Sequence, residues 1–472
     1  MSQPLPSAHS LAPDAVLGAL QRREADDLAA LRTFVGIPSV STDPEHAGDV
    51  RRAAAFVVTR LGASGLSEVE IVDTPGHPVV MGAWRGAPDA PTILVYGHYD
   101  VQPPDPLKAW SSPPFEATER AGRLYGRGVS DDKAPLSIAI DTVAAYLATT
   151  GALPLNVVFV LEGEEEVGSP NLPAVLVARR EQLAVDLVVS ADGGMWRADH
   201  PTTIRSARGL ATLEVRVGAA AKDLHSGRHG GALANPLHAI AALVASLHDA
   251  NGRVAVEGFY DGVRPIDPTL AQATRALPFD DDAYLAETGA PATVGEAGFG
   301  TLERQWYRPT LELNGLWGGY TGAGAKTVLP HEAHAKISCR LVDDQDPEHV
   351  LNAIERHLQR ARPEGVTLAV RRGGHGARAY VLDDDHPGLR AVVGSLRATY
   401  GVEPWVVGMG GSVPICDTFR RVLDADTVFF SFAVGDEDIH APNEFFRIHR
   451  FGEGRRAWAD LLARLPRELR HA

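Results

Sequence analysis

Cysteine is almost absent: Cys339 and Cys416 are the only two in 472 residues. Two cysteines build no disulfide framework, and the chain fits a reducing cytoplasm. Positive charge is also in deficit, with 45 Lys+Arg against 60 Asp+Glu and a formal net charge of −15. That balance disfavours nucleic acid or an anionic membrane as the main partner, and it accommodates a bound cation. No uninterrupted apolar run approaches the roughly 20 residues that span a bilayer. The stretch Met1 to Ser10 lacks a basic segment leading into an apolar one, so no secretory signal is expected. Internal repeats and low-complexity tracts are missing. A phosphate loop ending at Lys326-Thr327 would need glycine at 320 and 325, where Tyr320 and Ala325 stand. The segment Gly410-Gly411-Ser412-Val413-Pro414 lacks the spacing of a nucleophile elbow, so Ser412 reads as a loop donor. Cys416 has no histidine nearby in sequence and reads as a small buried residue.

What is present is a recurring arrangement. Short β-branched and aromatic runs each end in acidic or imidazole side chains. Thr92-Ile93-Leu94-Val95-Tyr96 leads into Gly97-His98-Tyr99-Asp100-Val101, and Asn156 to Leu161 leads into Glu162-Gly163-Glu164-Glu165-Glu166. Leu187 to Ser190 leads into Ala191-Asp192, and Thr427 to Phe432 leads towards Asp436 and His440. Such runs predict buried strands. In open α/β sheets, functional groups collect beyond the carboxyl ends of the strands.

The apolar spacing predicts a helix over about 14–35 and another after Asp132-Lys133 that stops near Gly151. Alternating strands and helices up to about residue 205 predict α/β architecture, a mixed but mostly parallel sheet covered by helices. From Gly209 a second pattern begins. A strand over Leu210–Val217, a helix after Pro236, a strand over His334–Leu341, a helix from Pro347 to about Arg362 and a strand over Val366–Val370 predict a small two-layer α+β domain. A long Pro- and Gly-rich insertion, about 251–325, separates its halves. The first pattern resumes near Asp383. The small domain, 209–380, is therefore expected to be inserted between 1–208 and 381–472.

The strand ends carry a donor set. His98 and Asp100 stand two apart on an extended segment and face the same side, so Asp100 is placed to hold the His98 ring, as carboxylates do at metal sites. In Gly126 to Lys133, one of Asp131 and Asp132 suffices to cap the following helix. The other is left free, with two oxygens able to bridge two cations. Of the adjacent Glu165 and Glu166, one suits a metal ligand and its neighbour a general base, because a bound divalent ion lowers the pKa of water to about 7. Glu162 and Glu164 read as local structure or surface charge. Asp192 and His440 complete a set of two histidines and three carboxylates with His98, Asp131 and Glu166, suited to zinc or a harder ion such as manganese.

With these motifs in this order, the chain resembles the co-catalytic metallopeptidase family that includes carnosinase-like dipeptidases, acetylornithine deacetylase and succinyl-diaminopimelate desuccinylase. The resemblance runs over about residues 15–465. It rests on Gly97 to Gln102, Gly126 to Lys133, Glu162 to Ser169, Lys222-Asp223-Leu224-His225-Ser226-Gly227 and His440-Ala441-Pro442-Asn443-Glu444. It implies a catalytic domain with an inserted lid and dimerisation domain, and two divalent ions per chain, zinc foremost with manganese or cobalt as alternatives. His98 and Asp192 would hold one ion, Glu166 and His440 the other, with Asp131 bridging and a cis bond from Asp131 to Asp132. Glu165 would be the general base, and Asp100 would orient His98. His225 would act on the scissile carbonyl across a homodimer.

The resemblance also implies that Arg340 receives the substrate carboxylate, with Thr327 and Ser412 as further contacts. Val101-Gln102-Pro103, Gly258 to Val263 and Gly324 to Pro330 resemble the dipeptidase branch, whereas Asp192-Gly193-Gly194 departs from it. The implied activity is hydrolysis of dipeptides in the cytoplasm. Deacylation of small N-acyl amino acids is the alternative. A non-catalytic protein on this fold would be expected to have lost a ligand, and none is missing.

Overall fold

The computed structural model describes residues 10–374 and 376–470. The stretch read for a secretory signal therefore lies, up to residue 9, outside the described residues. The chain divides into two compact units. The first runs through Arg205, returns over Leu382–Val407 and continues from Thr418; the second comprises Ser206–Val381 and Gly408–Asp417. The short segment Gly408–Asp417, which carries Ser412, thus groups with the second unit, whereas the sequence pattern places it in the returning part of the first.

The first unit is built on a six-stranded sheet in the order Glu68–Val72, Val79–Trp84, Asn156–Glu162, Thr92–His98, Leu187–Ser190, Thr427–Phe429. The last four strands run parallel, and the first two add an antiparallel edge. Parallel strands need cover on both faces, and every residue of Thr92–His98 is accordingly buried. The covering helices include Asp14–Val35, Ala47–Ala63, Ala134–Thr150 and Ile448–Leu469. Ala134–Thr150 is buried continuously from Ala134 to Tyr146, and Gly151 ends it with a left-handed φ of 70°. Such a position favours a residue without Cβ. Arg455 joins helices across this layer, donating to Asp27 at 2.8 Å and Glu24 at 2.9 Å. The C-terminal strand is shorter than expected and stops at Phe429.

The second unit is a four-stranded antiparallel sheet in the order Thr310–Gly318, Glu332–Leu341, Gly209–Gly218, Thr367–Arg372. Alternate residues Ala211, Leu213, Val215 and Val217 face the core, as do Ala333, Ala335, Ile337, Cys339 and Leu341. Helices Pro236–Ala245 and Pro347–Ala361 close that face with Ile240, Leu243, Val350 and Ile354. The insertion is not structureless. It forms short helices Pro268–Arg275, Asp281–Thr288 and Thr301–Tyr307, then the edge strand Thr310–Gly318. Nothing in the sequence pattern predicts that strand, because it has no clean alternation: Leu311 is buried, but the Glu312-Leu313-Asn314 run is exposed and a bulge falls between Leu313 and Gly315.

Among the described residues, no helix is long and apolar enough to cross a membrane. Ile354 is fully buried against the sheet. Ile354→Ala is expected to destabilise the second unit by about 2–5 kcal/mol through the cavity it leaves. Urea denaturation followed by circular dichroism measures this; a change below about 0.5 kcal/mol would contradict the packing described.

Candidate metal centre

Three neighbouring parallel strands of the first unit end side by side, and their ends carry most of the site. His98 is the last residue of Thr92–His98 and pairs in parallel register with Glu162. Asn156–Glu162 runs on into a tight turn, Glu165–Val167, which carries Glu165 and Glu166. Asp192 follows Leu187–Ser190 by two residues. His440 does not sit on a strand but in a turn, with a φ of 62°. Asp131 lies in an irregular turn before helix Ala134–Thr150, and the Asp131–Asp132 peptide bond is cis.

Asp131 is the centre of the arrangement. One oxygen lies 2.9 Å from His98 Nε2 and the other 3.0 Å from His440 Nε2. His440 Nε2 is also 3.2 Å from Glu166 Oε2. Ligand atoms of His98, Asp131 and Glu166 all lie within 4.8 Å of one another. Asp192 makes no direct bond to this trio, yet its charge is felt by Asp132 and Glu165. The structure therefore gathers His98, Asp131, Glu166 and His440 tightly, with Asp192 beside them. Nitrogen and carboxylate oxygen donors in this number fit a divalent ion such as zinc.

The electrostatics follow from the crowding. Burial pushes the Asp192 carboxyl up to about 6, and the neighbouring Asp131 adds to the rise. Burial likewise drives Glu165 well above the usual carboxylate range; His98 opposes this, and Asp192, Asp131 and Glu166 reinforce it. The imidazoles rise too, which for them favours the charged form. Hydrogen bonding to Asp131 and then Glu166 lifts His440 to about 10. Burial works against protonating His98, but Asp100 and Asp131 lift its pKa well above the ordinary value. Asp131 stays well below the carboxylate range in spite of its burial, because both imidazoles favour its ionised form. Positive charge is thus drawn to the positions that a cation would fill.

The supporting shell is only partly visible in the sequence. The His98 ring rests on Asp100 as expected, but its nearer contact is the Asp100 backbone carbonyl, 3.1 Å from Nδ1, with the carboxylate at 3.5 Å. The Asp100 carboxylate chiefly accepts from the backbone N–H groups of Glu165 at 3.2 Å and Glu166 at 3.1 Å. Glu162 and Glu164 are both buried rather than surface charge, and both have local partners. Glu162 accepts from Tyr96 and Ser169, and Glu164 from Asn171 and the His77 backbone.

Sequence reasoning misses the role of Glu444. One of its oxygens accepts from the Ser130 and Asp131 N–H groups, and the other from Gly128 N–H and the Arg127 guanidinium. Its partners lie more than 300 positions away in the chain, where no local pattern could reveal them.

The other expected site residues lie in the second unit. His225 ends the two-residue strand Leu224–His225, paired with Val328–Leu329. Its Nδ1 accepts from Gly227 N–H at 3.0 Å, and Ser226 N–H donates to the Thr327 carbonyl at 3.0 Å. His225 and Thr327 are therefore neighbours. Arg340 donates to Ser412 Oγ at 2.7 Å, and Ser412 donates to the Gly209 carbonyl at 3.0 Å. Arg340 lines a cavity of about 600 Å³ together with Arg208, whose pKa falls to about 10 through burial and then repulsion from Arg340. Arg304 and Arg308 also line it, with Glu296 and Glu312, so guanidiniums outnumber carboxylates four to two around a cavity suited to an anionic ligand.

The model of peptidase family M20/M25/M40 matches residues 94–464. The chain belongs to this family. It is 29% identical to the Cys-Gly metallodipeptidase of Schizosaccharomyces pombe, over 93% of this chain and 96% of that one. It is 28% identical to the Beta-Ala-His dipeptidase of Homo sapiens, over 91% of this chain and 88% of that one. Among solved structures, human carnosine dipeptidase 1 superposes with a TM-score of 0.81 at 27% identity, covering 98% of this chain and 100% of that one. The M20 family metallo-carboxypeptidase Sso-CP2 of Sulfolobus solfataricus gives 0.82 at 30% identity, covering 93% and 99%. The chain is an enzyme, a metal-dependent peptide hydrolase.

Glu444→Gln replaces an acceptor of four donors by an amide and leaves Arg127 without its carboxylate. A loss of about 3–5 kcal/mol is expected, the usual cost of breaking one side of a buried pair. Thermal or urea unfolding reads it out; unchanged stability would contradict the anchoring role.

Proposed function

We propose that the enzyme hydrolyses dipeptides, or short peptides with a free C-terminal carboxylate, using two divalent ions held by His98, Asp131, Glu166, Asp192 and His440. The observation that carries this reading is Asp131 held between His98 and His440, with Glu165 next to the ligand Glu166 on one turn. Asp131 would bridge the ions, His98 and Asp192 completing one site and Glu166 and His440 the other. Zinc suits the mixed nitrogen and oxygen donors, with manganese or cobalt as alternatives. When bound, the ions supply an activated water and polarise the scissile carbonyl.

The side chains do the rest. Glu165 accepts the proton of the attacking water and returns it to the leaving amine. Its neighbours Asp131, Asp192 and Glu166 raise its proton affinity, and burial does so most of all. Asp100 fixes the position of Glu165 through the backbone bond at 3.2 Å. Arg340, assisted by Ser412 and Thr327, is assigned to the substrate carboxylate, for which a guanidinium offers two parallel donors. His225 is assigned to the carbonyl oxygen, acting from the partner subunit of a homodimer. Its Nδ1 already accepts from Gly227, which leaves Nε2–H as a donor. The two cysteines are both buried and outside any disulfide, which is compatible with a cytoplasmic location.

Glu165→Gln is expected to retain its metal content while kcat falls by about 10²–10⁴-fold, the span of general-base contributions. Elemental analysis and steady-state kinetics on the same sample test this, and near-normal turnover would remove Glu165 from the role. A panel of dipeptides against N-acetyl and N-succinyl amino acids tests the substrate class. Dipeptides are expected to be turned over faster; preference for the acyl compounds would turn the reading to an N-acyl amino acid deacylase.

A further inference from the structure

His98 ends the strand Thr92–His98, and Asp100 and Gln102 follow it at alternate positions in the chain. His98 is a ligand and Asp100 anchors the Glu165–Glu166 turn. Gln102, the third of the series, makes three hydrogen bonds, all to Glu166. Its backbone N–H donates to Glu166 Oε1 at 3.1 Å. Its side-chain amide donates to Oε2 at 2.8 Å and to the Glu166 carbonyl oxygen at 3.2 Å. Both carboxylate oxygens and the main chain of one residue are thus held by one partner. The Glu166 side chain is 3% exposed, and its Oε2 faces His440 at 3.2 Å.

We infer that Gln102 is a positioning residue that sets the affinity of one of the two metal sites, the one completed by Glu166 and His440. A glutamate carboxylate free to rotate about its terminal bond has to be ordered when it takes an ion. Gln102 imposes that order beforehand, by a side-chain amide whose own orientation is fixed by its second bond to the Glu166 backbone. Partners of this kind typically change metal affinity by about 10–100-fold. A neutral amide suits this role because it donates to the carboxylate without neutralising it, so the charge remains available to the cation. The contact acts on Glu166, leaving Asp192 and the opposite site untouched. This rests on the two-ion reading proposed above.

The test is a Zn²⁺ titration of the metal-free protein by calorimetry. The variants are Gln102→Met, which keeps length and removes the two side-chain amide bonds while the backbone N–H to Oε1 remains, Glu166→Ala, and the double variant. Wild type is expected to take up two ions. Gln102→Met is expected to weaken one site by about 10–100-fold and leave the other within twofold. The double variant is expected to bind no more weakly than Glu166→Ala alone, because a residue acting through the Glu166 carboxylate then has no carboxylate to act on. The melting temperature of metal-free Gln102→Met should match wild type. Should that variant fail to fold, Gln102→Asn, which keeps the amide but draws it back, is titrated instead and is expected to weaken the same site. Unchanged affinities, equal weakening of both sites, or additive effects in the double variant would overturn the inference. A wild-type protein that binds no Zn²⁺ would overturn the two-ion reading first, which separates the two failures.

Discussion

Like charge gathered at one point is the constraint on which this structure depends. Glu165, Glu166, Asp131, Asp132 and Asp192 converge on the carboxyl ends of neighbouring strands, largely out of water. Burial, and then repulsion among them, makes Asp132, Glu165 and Asp192 resist ionisation, whereas the two imidazoles keep Asp131 ionised. His98 and His440 relieve part of this by standing on either side of Asp131. Burial and neighbouring carboxylates raise Asp192 and Glu165, while hydrogen bonds to those carboxylates raise the imidazoles against their burial. Divalent cations are the natural answer to that gathered negative charge, and membership of peptidase family M20/M25/M40 agrees with it.

The sheet makes the convergence possible. Parallel pairing of Thr92–His98 with Asn156–Glu162 and Leu187–Ser190 puts three carboxyl ends side by side. His98 ends the central strand, and Asp100 and Gln102 follow it within four residues. Asp100 holds the backbone of Glu165 and Glu166, and Gln102 holds the Glu166 side chain. From the far end of the chain, Glu444 gathers the loop that carries Asp131. The polar groups around the candidate metal ligands are therefore ordered by the fold itself.

Much of this is legible in the sequence, for identifiable reasons. Buried parallel strands write themselves as unbroken β-branched runs, and helix Ala134–Thr150 as an apolar stretch stopped by Gly151. The acidic and imidazole residues at the strand ends then stand out against those runs. What stays hidden is of two kinds. The edge strand Thr310–Gly318 is half exposed and bulged, so neither its pattern nor its composition marks it. The contacts of Glu444 and Gln102 join residues distant in sequence, and only the tertiary structure brings them together. The sequence marks Gln102 as part of a motif without saying what it touches, and Ser412 as a loop donor without showing that it donates to the Gly209 carbonyl and accepts from Arg340.

The central claim is that Asp131 is shared by two cations. Anomalous diffraction from crystals equilibrated with Zn²⁺, recorded across the zinc edge, addresses it directly. Two peaks are predicted, each touching a different oxygen of Asp131, one beside His98 and the other beside His440. A single peak, or peaks that leave Asp131 untouched, would contradict it.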